Sequence, residues 1–179
     1  MAPFFMTKQN IFLIGLMAVG KSTIGRLLAE SMHKEFYDTD HVIEQRAGAD
    51  LAWIFDVEGE RGFRDREQEV VDELTQYDDI VMATGGGVVL RVCNRNMLAS
   101  RGVVIYLDSS IEQLVERTLR DKKRPLLQLG EPRHTFRRLQ EERAPLYSEI
   151  SDYRFITDHR GPKVLARTIE ERLREDGIL

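Results

Sequence analysis

The sequence predicts a single α/β domain built on a five-stranded parallel sheet flanked by helices, and three observations carry the prediction. Short apolar runs, among them Ile11–Ile14, Ile80–Thr84 and Val103–Leu107, have the length of strands buried on both faces. Segments with apolar residues at helical spacing separate them, as in stacked βαβ units. Between the first run and the first helical segment lies Gly15-Leu16-Met17-Ala18-Val19-Gly20-Lys21-Ser22. It fits G-x-x-x-x-G-K-[ST], the phosphate-binding P-loop, in the strand–loop–helix context the motif requires.

The elements follow in order. Residues 1–9 read as a leader, its opening Met1–Met6 too short for a signal peptide and without a charged n-region, with Met6 as an alternative start. The domain proper spans 10–179. After the P-loop, Ile24, Leu27, Leu28 and Met32 form one helical face. Glu35–Asp38 is a short strand ending in acid, and Asp38-Thr39-Asp40 opens a polar segment. His41–Ala47 reads as a helix stopped by Gly48, and Leu51–Phe55 carries the only tryptophan, Trp53. Gly59–Arg64 is a turn-rich entry to a helix with Val70, Val71 and Leu74 on one face. The third strand runs into Gly85-Gly86-Gly87 and the fourth ends at Asp108. Ser110 with Gln113 resembles a capping box, opening a helix with Ile111, Leu114, Val115 and Leu119 on one face. From Asp121 to Arg138 no period persists; basic residues alternate with Pro125, Gly130 and Pro132, which reads as a lid over an anionic ligand. Tyr153–Thr157 is the fifth strand. Pro162 starts the last helix, whose buried face is Val164, Leu165, Ile169 and Leu173.

Composition excludes several classes. The chain is 42% hydrophobic and 31% charged, which is globular rather than disordered. Net charge is −4 with no Lys/Arg block, which argues against a nucleic-acid partner. No apolar stretch approaches membrane-spanning length. A lone Cys93 forms no internal disulfide and fits a reducing, cytoplasmic setting. No large apolar stripe is evident, and a monomer is expected. His33, His41, His134 and His159 lack metal-ligand spacing and are expected at the surface.

The chemistry lies at the predicted strand ends, where ligands gather in doubly wound sheets. The P-loop glycines let backbone N–H groups turn onto phosphate oxygens, and the following helix adds its positive end. Lys21 is expected at the β- and γ-phosphates, and Ser22 on Mg²⁺. Asp38 and Asp40 flank Thr39, so one carboxylate suits the metal and its waters and the other an acceptor hydroxyl. The triplet Gly85–Gly87 admits a ligand close to backbone. Asp56-Val57-Glu58-Gly59 matches the D-x-x-G of GTP switches, but no N-K-x-D follows.

The ordered set of Gly15–Ser22, Asp38-Thr39-Asp40, Gly59-Glu60…Phe63-Arg64, Gly85–Gly87, Arg124-Pro125-Leu126-Leu127 and Glu142-Arg143…Tyr147 resembles the shikimate kinase family over nearly the whole chain after residue 9. The resemblance implies a small nucleoside-monophosphate-kinase-like P-loop enzyme that moves the ATP γ-phosphate to the 3-hydroxyl of shikimate, on the route to chorismate and the aromatic amino acids. It implies an acceptor-binding region at about 39–68 and a lid at about 121–136. Ala18, Val19, Gly20, Lys21, Ser22 and Thr23 would cradle ATP, with Ser22 and Asp38 serving Mg²⁺. Asp40 would be the base. Arg64 and Arg143 would grip the carboxylate beside Gly85, Gly86 and Gly87. Arg124 would close onto the phosphates, and Arg117, Arg160 and Pro162 would lie near adenine. Ala18 departs from the family's usual glycine. Rival readings are a gluconate-type metabolite kinase, which also binds a carboxylate, and an inactive nucleotide-binding regulator, against which Asp40 and the basic lid argue.

Overall fold

The computed structural model of the chain describes residues 10–120 and 131–179. Its strands are β1 (Ile11–Ile14), β2 (Glu35–Asp38), β3 (Ile80–Ala83), β4 (Val103–Asp108) and β5 (Tyr153–Ile156). They form one all-parallel sheet in the order β2-β3-β1-β4-β5. Phe12 on β1 stands between Met82 of β3 and Val104 of β4. The three inner strands are buried on both faces, which explains their unbroken apolar runs, whereas β5 at the edge alternates. β1 and β3 lie side by side, yet the chain leaves them in opposite directions, towards β2 and β4. That divergence opens a crevice at their carboxyl ends.

The helices are α1 (Lys21–Met32), α2 (Thr39–Ala47), α3 (Leu51–Leu74), α4 (Val92–Arg101), α5 (Ile111–Arg120), α6 (Pro132–Ile150) and α7 (Pro162–Glu175). α3 joins the two expected pieces across a kink at Gly59, with φ 71° and ψ 178°, a backbone region essentially confined to glycine. The halves are braced from both sides of the break. Phe55 and Phe63 stack with centroids 4.5 Å apart, and Arg66 donates to both carboxylate oxygens of Glu58 at 2.8 and 2.7 Å. Such a two-bond pair also fixes geometry.

Three expectations need correction. Residues Pro132–Arg138 are helical, so the irregular segment does not reach Arg138; residues 121–130, with Arg124, lie outside those described. The period of α6 was hidden because its buried stripe of Phe136, Leu139, Arg143 and Tyr147 contains an arginine. Helix α4 has no apolar signature because only Asn94 and Leu98 are buried. On α5, Leu119 is exposed and Thr118 is buried, its hydroxyl donating to the Leu114 carbonyl at 2.7 Å; Val164 on α7 is likewise exposed. The four histidines that were expected at the surface are exposed. Among the described residues, no helix is long and apolar enough to cross a membrane.

Tyr106 and Tyr147 lie together in the core, with centroids 5.0 Å apart. Burial pushes the Tyr106 hydroxyl up to about 12 and the Tyr147 hydroxyl further. Unfolded tyrosines ionise near 10, so above that pH the unfolded chain has lost protons the folded chain keeps. Stability is therefore whole below about pH 10 and declines as pH rises towards 12. An absorbance titration should show these two phenols ionising only with unfolding, and the phenylalanine variants should identify them.

Candidate active site

The phosphate side begins where β1 ends. Lys21, the first residue of α1, is buried, and its Nζ donates to the carbonyls of Gly15 and Leu16, both at 2.7 Å. Its ammonium is thereby held inside the loop's curve. Gly20 offers no side-chain cap, so the first-turn N–H groups of α1 have no side-chain acceptor there and suit an anion. Ala18 takes a left-handed φ of 66°, at a cost of about 1 kcal/mol for a residue with a Cβ. Arg117 of α5 steadies the loop, donating to the Val19 carbonyl at 3.0 Å and to Thr157 Oγ1 at 3.3 Å.

Asp38, at the end of β2, ties this loop to the opposite wall. One carboxylate oxygen accepts the Ser22 hydroxyl in a very short hydrogen bond; the other caps α2 by accepting from the N–H groups of Asp40 and His41 at 3.0 and 3.3 Å. The cap explains why D-x-D sits at a helix start. Asp40 follows on the first turn and faces the end of β3. A Cβ on Gly85 would lie 2.7 Å from Asp40 Oδ1 and 3.0 Å from Glu67 Oε2. Only a residue without a side chain fits between those carboxylates. The Gly85 N–H donates to Thr39 Oγ1 at 3.1 Å.

Behind the glycine run is a buried charge cluster. Arg64 of α3 donates to Glu67 at 2.8 Å, and its guanidinium occupies the space a Gly87 side chain would need. Arg143 of α6 is buried, with Nη1 3.4 Å from where a Gly86 Cβ would be. The Nε atoms of both arginines are buried without a hydrogen-bond acceptor. Burial pushes the Glu67 carboxyl up, while Arg64 and then Arg143 pull it down. Two guanidinium groups thus face one fully buried carboxylate, with the exposed Glu60 and Glu142 at 3.5 and 3.8 Å from their Nε atoms, and their unused donors suit an incoming anion.

These walls enclose a cleft of about 1360 Å³, ample for two small ligands. The sequence-selected residues divide into groups. Ala18, Val19, Gly20, Lys21, Ser22 and Thr23 line it on the phosphate side, and Arg117 and Pro162 at one end. Asp38, Asp40, Gly85 and Gly86 line the opposite wall. Arg64, Gly87 and Arg143 converge just behind the glycines rather than on the open surface. Arg160 does not line the cleft; it is exposed and pairs with Asp158 at 2.6 Å. Trp53 is also absent from the lining, which Leu51, Phe55 and Asp56 supply from α3. Asp108 is engaged by Arg154. Glu67 went unnoticed in the sequence, although its i,i+3 spacing from Arg64 was visible. Gln113, held by the Ser109 hydroxyl, also lines the cleft.

A parallel sheet with a phosphate loop after β1, faced by a carboxylate and an arginine cluster, defines a P-loop phosphotransferase of the nucleoside-monophosphate-kinase type. The comparisons narrow the class. The shikimate kinase family model matches residues 17–174. A shikimate kinase of Vibrio parahaemolyticus is 56% identical over 168 residues, 94% of this chain and 98% of that one. The structure of shikimate kinase from Acinetobacter baumannii in complex with shikimate superposes with TM-score 0.91 at 45% identity, covering 96% of each chain. That of shikimate kinase from Aquifex aeolicus gives 0.81 at 34% identity, covering 94% of this chain and 98% of that one. The chain belongs to the shikimate kinase family.

Gly85→Ala tests the tight wall. The added methyl must displace Asp40 or Glu67, and an ångström-scale misplacement costs roughly 10²-fold in rate. Turnover should fall about that far, while circular dichroism reports a folded protein.

Proposed function

We propose that the chain phosphorylates the 3-hydroxyl of shikimate with ATP, giving shikimate 3-phosphate and ADP. The observation that carries the reading is that Arg64 and Arg143 converge behind the glycine run, each with an Nε donor that has no hydrogen-bond acceptor, across from a phosphate loop. Shikimate supplies what each wall lacks: a carboxylate for the guanidinium groups and hydroxyls for Asp40.

The loop N–H groups and Lys21 hold the β- and γ-phosphates, and Arg117 stands where the nucleoside leaves the loop, with Pro162 beyond it. Asp40 accepts the hydroxyl proton as the oxygen attacks phosphorus, while the arginines fix the ring so that this oxygen faces the γ-phosphate. Positioning and charge neutralisation supply most of the acceleration, since phosphoryl transfer asks for little covalent help. Arg124 retains its expected place at the phosphates as part of this proposal, as do the monomeric state and the cytoplasmic setting.

Ser22 and Asp38 suit a Mg²⁺ ion. They are hard oxygen donors already in contact, and among the described residues no cluster of three or more His, Cys, Asp or Glu could hold a metal alone. A site with few protein ligands fits an ion that keeps its waters and takes phosphate oxygens. When bound, Mg²⁺ neutralises phosphate charge.

Coupled ADP release should depend on both shikimate and Mg²⁺ and vanish with chelator. Turnover of gluconate or a nucleoside monophosphate in place of shikimate would refute the assignment. Asp40→Asn should cut turnover by roughly 10²–10⁴ with ATP binding nearly intact by calorimetry. Arg143→Ala should weaken shikimate binding by about 10–100-fold, the worth of one or two charge-assisted hydrogen bonds, with ATP affinity little changed.

A further inference from the structure

We propose that Tyr147 is a positioning residue for the acceptor: its hydroxyl pins Gly86 at the one point where the acceptor wall meets the phosphate loop. The Tyr147 hydroxyl donates to the Gly86 carbonyl at 2.5 Å. A Cβ on Gly86 would lie 3.2 Å from Met17 N, 3.4 Å from Arg143 Nη1 and 3.6 Å from the Gly15 carbonyl. Gly86 is therefore wedged between the phosphate loop and the arginine assigned to the acceptor. Arg143 and Tyr147 are one turn apart on α6, so a single helix face delivers both to this glycine.

The arrangement is built to hold. Tyr147 is fully buried, and its ring rests on Tyr106 of β4. Burial keeps the phenol protonated, and hence a donor, throughout the working pH range. Fixing the carbonyl fixes the whole peptide plane, and with it the direction of the next N–H. Without the hydroxyl, a buried carbonyl loses its partner and the glycine backbone, with no side chain to restrain it, is free to turn. The phosphate loop has its own ties through Lys21 and Arg117, so the disturbance falls on the acceptor side.

This inference rests on the assignment of Gly86 and Arg143 to the acceptor. It is tested by steady-state kinetics of the whole protein, varying shikimate and ATP separately. Tyr147→Phe keeps the ring and removes only the hydroxyl. It should raise KM for shikimate about 5–20-fold, leave KM for ATP within about twofold, and change kcat less than about threefold, a split that general core loosening does not produce. Tyr106→Phe, which removes the neighbouring core hydroxyl without touching Gly86, should leave both KM values unchanged. Unaltered kinetics in Tyr147→Phe, or an equal rise in both KM values, overturns the positioning role. Failure of the unsubstituted protein to use shikimate overturns the acceptor assignment itself, and the inference with it. Should Tyr147→Phe not fold, NMR of the unsubstituted protein decides. A slowly exchanging Tyr147 hydroxyl proton close to the Gly86 and Gly87 protons supports the anchor, and a rapidly exchanging one overturns it.

Discussion

Two guanidinium groups and one carboxylate, shut away behind three glycines, set the terms for this molecule. Glu67 is completely buried, and Arg64 and Arg143 nearly so. Desolvated charge is costly unless matched, and here both arginines keep an Nε donor without an acceptor, their other carboxylate neighbours being the exposed Glu60 and Glu142. The fold tolerates these unused donors because they are confined to one place, held by two helices that are otherwise well anchored. α3 is fixed by Phe63, Val70, Val71 and Leu74, and α6 by Phe136, Leu139 and Tyr147.

The glycines make that cluster useful. A side chain at 85 would push Asp40 away and one at 87 would push Arg64 away, while one at 86 would crowd the Met17 backbone nitrogen. Bare backbone lets the acid, the guanidinium groups and the phosphate loop approach within contact distance of one strand end. Asp38 supplies the complementary tie, linking the Ser22 hydroxyl to the start of α2, so the two walls share a hydrogen-bonded corner. The kink at Gly59 serves the same geometry by turning Leu51 and Phe55 towards the cleft while the rest of α3 stays with the core.

Much of this was legible beforehand. The three inner strands were readable because burial on both faces demands unbroken apolar runs, and the phosphate loop because its spacing and flanks coincide. Asp38 and Asp40 stood out by position at a strand end. Where sequence reasoning failed, polar residues occupied buried places: Arg143 in the stripe of α6, Asn94 in α4, Thr118 in α5. Periodicity counts apolar residues and is blind to a buried polar group, even one satisfied close by in the chain, as Thr118 is by the Leu114 carbonyl and Asn94 by that of Val88. Glu67 was overlooked for that reason, since a glutamate beside an arginine on a helix is ordinary unless both are buried.

The sequence by itself determined the sheet, the phosphate loop and the identity of the acid opposite it, because local propensity, spacing and strand-end position are properties of contiguous residues. Only the tertiary structure decided which arginines and which carboxylate meet, that Arg160 stays outside the cleft, and that Tyr147 rests on Gly86. Tyr147 and Gly86 are 61 positions apart, and although Arg64 and Glu67 are only three apart, the burial that gives their pairing its strength is set by the whole fold, which no contiguous stretch encodes.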